Sequence, residues 1–190
     1  MKLNYDIVRR SLDFAYDKAV NGIVGLDSAY DLARDYIKGE GTIYNKSNSL
    51  INWQCGKAAT SGFITGIGGL LAMPVALPAN ITSVLFVQVR MIAAIAILGG
   101  YDVKDDRVRS LVYSCLVASS CKDVLKNFGI KLGQKVAVKA IQQIPFSVIT
   151  KINQAVGFRL LTKFGEKGLI NLGKAIPLLG GIIGGGIDLI

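Results

Sequence analysis

Ser119-Ser120-Cys121-Lys122 matches the Ser-x-x-Lys spacing of a known class of nucleophile. A lysine one helical turn after a serine can accept the hydroxyl proton and leave the oxygen reactive. The tetrapeptide stands without the companion motifs of that class, so Ser119 and Lys122 are weak catalytic candidates. Other routes to catalysis close quickly. The chain contains no histidine, which excludes a Ser-His-Asp triad, a Cys-His dyad, an HExxH zinc site and any histidine general base. Cys55, Cys115 and Cys121 fit no zinc spacing and cannot all pair, so reduced, buried thiols are expected. The acids form no evident pair or cage; Asp105-Asp106 sits where a helix start would favour acids anyway. TGIGGLLAM holds neither GxGxxG nor a following Gly-Lys-Ser/Thr. The sequence calls for no metal and no cofactor, and the balance leans away from an enzyme.

Basic residues offer a different chemistry. Lys131, Lys135 and Lys139 recur one turn apart and make a cationic ridge beside Leu132, Val136 and Ala140. Lys122 and Lys126 precede them; Lys151, Arg159, Lys163, Lys167 and Lys174 follow. Of the formal net charge of +9, the stretch 122–174 alone carries ten cations against Asp123 and Glu166. Any single lysine reads as a solvated surface group. The cluster, with so few acids interleaved, reads as a surface for anionic lipid, where each cation contributes about 1 kcal/mol. Nucleic acid is the rival partner; the apolar composition and the lack of a helix-turn-helix, RRM, KH or zinc-finger signature argue against it.

Arg90 lies between VLFVQV and MIAAIAIL. An unpaired charge in such surroundings costs several kcal/mol, so the guanidinium must find acceptors or water. One reading makes Arg90 an anchor for an anionic headgroup or a partner carboxylate, with Asn80 and Gln88 as nearby polar groups. The other pairs it with Asp102, Asp105 or Asp106 to hold helices in register.

The elements that must position these groups read as helices throughout. Residues 5–20 place Ile7, Val8, Leu12, Ala15 and Ala19 on one side. In DSAYDLARDYIKG, Asp27 or Ser28 can cap, Ala29, Leu32, Ala33, Tyr36 and Ile37 recur at helical spacing, and Gly39 stops the helix. Residues 39–48 predict an exposed loop. No charge occurs from Ala58 to Val89, and Pro74 and Pro78 interrupt that run. The pattern predicts a helical hairpin, Ser61–Met73 and Asn80–Leu98. Its glycines, Gly62 and Gly66, repeat the spacing of Gly180 and Gly184 in the tail, which predicts close packing of those two helices. Further helices are expected over 106–128, 131–144 and 147–164, divided by Gly129 and Pro145. The expected fold is all-α, a compact multi-helix bundle around a central apolar Gly-rich hairpin. Residues 1–40 form amphipathic N-terminal helices, residues 55–190 the main helical domain, and the whole reads as one structural unit. The N-terminus MKLNYDIVRRSLDF lacks an apolar core, so no signal peptide is expected.

The block GFITGIGGLLAMPVALPANITSVLFVQVRMIAAIAILGGYD and the later VGFRLLTKFGEKGLINLGKAIPLLGGIIGGGID resemble the EcsC protein family of bacterial helical proteins. The resemblance runs from about Cys55 to Ile190 and rests on four motifs. They are the Pro-x-x-x-Pro turn, the arginine of the second arm, the Gly-Gly-Tyr-Asp stop and the Gly-rich tail. It implies membrane association and a role beside a transporter or envelope system, and assigns no catalytic residue. It also implies a closing helix after the tail, where this chain ends, so partly uncovered apolar surface and homo-oligomers are expected. The resulting expectation is an accessory or interaction protein on the cytoplasmic side of a bacterial membrane, peripheral or partly inserted. The alternatives are a soluble partner-binding protein of regulatory or immunity type and a Ser-Lys hydrolase.

Overall fold

A computed structural model of the chain describes residues 4–58, 79–117, 126 and 141–165. Among them are six α-helices and no strand: α1 (Tyr5–Asn21), α2 (Ala29–Ile37), α3 (Ile43–Ala58), α4 (Ala79–Leu98), α5 (Asp106–Cys115) and α6 (Phe146–Gly165). The all-α expectation holds. Residues 59–78, which include the first hairpin arm with Gly62, Gly66, Pro74 and Pro78, lie outside the described residues, as does the tail with Gly180 and Gly184.

Local chemistry explains the boundaries. At the start of α1, Asn4 Oδ1 accepts from the Ile7 amide at 2.9 Å. Gly22, at φ 81°, ends the helix while its amide donates to the Lys18 carbonyl. Ser28 opens α2 with a full capping box: Ser28 Oγ accepts from the Asp31 amide, and Asp31 accepts from the Ser28 amide and hydroxyl. Val8, Leu12, Ala15 and Ala19 on α1, and Ala29, Leu32 and Ala33 on α2, are buried as their spacing predicts. Ile37, expected to face inward, is exposed at the end of α2.

Two expected boundaries are corrected. The stretch 39–48 is only half loop, because α3 begins at Ile43. Thr42 Oγ1 accepts from the Asn45 amide at this start, and Lys46 Nζ reaches back to the last carbonyl of α2, at Ile37. The helix expected over 106–128 stops at Cys115. There the amides of Leu116 and Val117 switch to the carbonyls three residues back, tightening the final turn. The start of α5 is as expected, with Asp105 as its cap, and α6 follows Pro145.

The second hairpin arm is found as α4, the central helix of the described bundle. Every residue from 82 to 95 is buried, and α1, α2, α3 and α5 all pack on it. Phe86, Leu85, Val89 and Met91 are among the largest fully buried side chains. A bilayer therefore has no access to this arm: its apolar surface is consumed by neighbouring helices, each buried aliphatic or aromatic side chain contributing about 1.5–3 kcal/mol. Outside this core helix, α6 lies across α1 and α5. Gly157 is where α6 meets α1, since a Cβ there would run into the Tyr5 ring.

Candidate functional site

Thr82, Phe86 and Arg90 succeed one another at single-turn spacing on α4 and share a side of that helix. All three are buried. The Arg90 guanidinium lies 5.4 Å from the centre of the Phe86 ring, so its flat face is covered by an aromatic from its own helix. Its Nη1 donates to the Asp27 carbonyl at 3.1 Å, just ahead of α2, and its Nη2 donates to Gln54 Oε1 of α3 at 3.1 Å. One side chain thus ties the α1–α2 turn, α3 and α4 together. Nε is buried without a partner, and among the described residues no carboxylate lies within ion-pair distance of it. Burial pushes its pKa down, opposed by the negative charge of Asp27.

The pairing of Arg90 with Asp102, Asp105 or Asp106 is not what the structure contains. About 12 Å of helix separates Arg90 from the end of α4, and the acids beyond it are engaged locally. Asp102 Oδ1 accepts from the Lys104 amide, and Asp105 caps α5 while lying 3.9 Å from Arg107. Gln54, the partner that sequence reasoning missed, is 3% exposed on the inner face of α3. Its signal is the spacing Ser47, Leu50, Ile51, Gln54, a helical stripe masked by the turn-forming residues at its start. Gln88 is buried on α4, while Asn80 lies in its first turn with a side chain outside the described set.

A second polar network, also missed, joins α1 to α5. Asp13 Oδ1 accepts from Arg109 Nη2 at 2.8 Å and from the Tyr113 hydroxyl at 2.9 Å, and Arg109 Nε donates to the same hydroxyl at 2.7 Å. Arg109 also lies over the Tyr16 ring, and Tyr16 meets Tyr113 edge-on. The Tyr16 hydroxyl donates to the Val103 carbonyl at 2.6 Å. Burial, and for Tyr113 the Asp13 charge as well, holds both phenols protonated far above the usual tyrosine range. Both hydroxyls are donors here, Tyr16 to the Val103 carbonyl and Tyr113 to Asp13. Of the thiols, Cys55 and Cys115 are free but only partly buried, short of the expectation, and burial raises the Cys55 pKa. Ser119, Lys122, Cys121, Lys131, Lys135 and Lys139 lie outside the described residues.

The profile of the EcsC protein family matches residues 41–189, which begin just before α3 and extend past the end of α6. The chain belongs to the EcsC protein family. No curated protein and no solved structure matches it. In this EcsC-family chain, Arg90 and Gln54 fall inside the matched stretch. Asp27 and Asp13 come from the N-terminal region, whose helices α1 and α2 pack directly on α4. Among the described residues no helix is long and apolar enough to cross a membrane.

Proposed function

We propose that this EcsC-family protein is a non-enzymatic accessory protein that sits peripherally on an anionic membrane face, held by its basic segment. The observation that carries this reading is the separation of charge between helices. Neither α3 nor α6 contains an acidic residue. The outward side of α6 bears Lys151 and Arg159 next to Phe158, which is 59% exposed. Aromatic surface flanked by cations, without interleaved carboxylates, suits the headgroup boundary of an anionic bilayer. The burial of α4 restricts this reading to peripheral contact. The same burial favours the alternative, a soluble partner-binding protein, and one experiment separates the two. In flotation with vesicles, recovery is expected with anionic lipid and not with neutral lipid, and Lys151→Glu/Arg159→Glu is expected to reduce it. Equal recovery with both lipids would overturn the electrostatic reading, and no recovery with either would leave the soluble one standing.

A further inference from the structure

Lys46, Ser49, Trp53 and Lys57 fall on one side of α3, about a quarter turn round the helix from the buried stripe Ser47, Leu50, Ile51 and Gln54. Trp53 is 59% exposed, an unusual position for the largest apolar side chain. We infer that Trp53 is the side chain that enters the membrane boundary, with the positive charge of Lys57 beside its ring complementing the anionic headgroups. The inference rests on the peripheral reading above and names the part of the molecule that penetrates.

Three observations single out Trp53. The exposed rings of α6 each meet a ring or a guanidinium from another element: Phe146 lies 4.4 Å from the Arg107 guanidinium, which also donates to the Ile144 carbonyl, and Phe158 lies 5.0 Å from the Tyr5 ring at a tilt. Among the described residues Trp53 meets Lys57, 5.3 Å from its ring. Charge points the same way. No acid occurs from residue 41 to residue 101, so nothing on α3 opposes an anionic surface. Lysine is depleted at protein–protein interfaces, whereas indole rings bordered by lysine concentrate at the level of lipid headgroups. The occupant that fits this face is therefore an anionic bilayer.

Trp53 is the chain's one tryptophan, so its fluorescence reports this face alone. The test titrates the full chain with phosphatidylcholine vesicles in which about a third of the lipid is phosphatidylglycerol, with co-sedimentation measured in parallel. Expected are a blue shift, loss of acrylamide quenching, and quenching by lipids brominated near the headgroup. Trp53→Ala is expected to weaken vesicle binding about tenfold, with Trp53→Phe in between, both folding normally because the site is on the surface. Sedimentation with unchanged emission would overturn the inference and leave the peripheral function intact. Failure to sediment would remove both. A blue shift that grows with protein concentration in the absence of vesicles would assign the face to a second copy of the chain and overturn it as well.

Discussion

Arg90 holds its place through neutral acceptors rather than an ion pair, and that decides how it responds to mutation. Both acceptors, the Asp27 carbonyl and Gln54 Oε1, are oriented toward it, and Gln54 is buried. Removing the guanidinium strands these acceptors, and an unsatisfied buried polar group costs about 1–3 kcal/mol. Removing the burial cost of the charge returns part of that. Arg90→Met is therefore expected to destabilise by about 2 kcal/mol in denaturant titration. Gln54→Leu alone takes away one acceptor and leaves more of the guanidinium unpaired, which costs a similar amount. In the double variant the two losses overlap, so their sum is expected to exceed the measured effect by about 1 kcal/mol. Strict additivity would mean that the Arg90–Gln54 bond contributes nothing.

At the level of elements, α2 shows what is legible in a sequence and what is not. Ser28, Asp31 and the spacing of Ala29, Leu32 and Ala33 specify the start and inner face of this helix by local rules, and the structure follows them. The same local rules located α4 and α6. They failed for Ile43–Ala58, because asparagines, serines and glycines resemble a loop until a buried stripe is recognised through its packing on α4. They also failed for the partners of Arg90 and for the Asp13–Arg109–Tyr113 network. These contacts join residues far apart in the chain, and their geometry exists only after the helices have assembled. The capping box has a pH signature. Hydrogen bonds from the Ser28 hydroxyl and amide hold the Asp31 carboxyl below its usual range. A carboxylate with a depressed folded pKa stabilises fully above its unfolded pKa, and that contribution fades as pH falls through the folded value. Ser28→Ala is expected to cost about 1 kcal/mol at about pH 7. As pH is lowered through the folded pKa of Asp31, which lies below the usual carboxylate range, the gap between wild type and variant is expected to narrow, since protonation of Asp31 weakens the box. A gap that stays constant between these conditions would show that the carboxylate takes no part in the cap.

For the whole molecule, the position of α4 determines how the protein can meet a membrane. Inserting α4 would strip α1, α2, α3 and α5 from it and expose Val8, Leu12, Leu32, Leu50 and Leu111, now buried against the core. Each exposed side chain of this kind costs about 1.5–3 kcal/mol. Arg90 would then have to enter hydrocarbon, at about 3 kcal/mol even on the mildest scale. The apolar surface of α4 would gain nothing in return, because it is already out of water. Insertion of this helix therefore loses on every term, so under the peripheral reading proposed above attachment comes from outer faces such as those of α3 and α6. Contact of that kind combines shallow apolar burial with screened charge, so it is sensitive to ionic strength. Screening shortens to about 3 Å at about 1 M salt, against about 10 Å at 0.1 M. Membranes isolated from cells expressing the chain are expected to release most of it in a wash at about 1 M salt without detergent. The released protein is expected to keep its helical circular dichroism and a single cooperative unfolding transition, since the core of α4 stays covered throughout. Retention through that wash until detergent is added would mean that an apolar segment has entered the bilayer, and would require α4 to be abandoned as the fixed centre of the bound state.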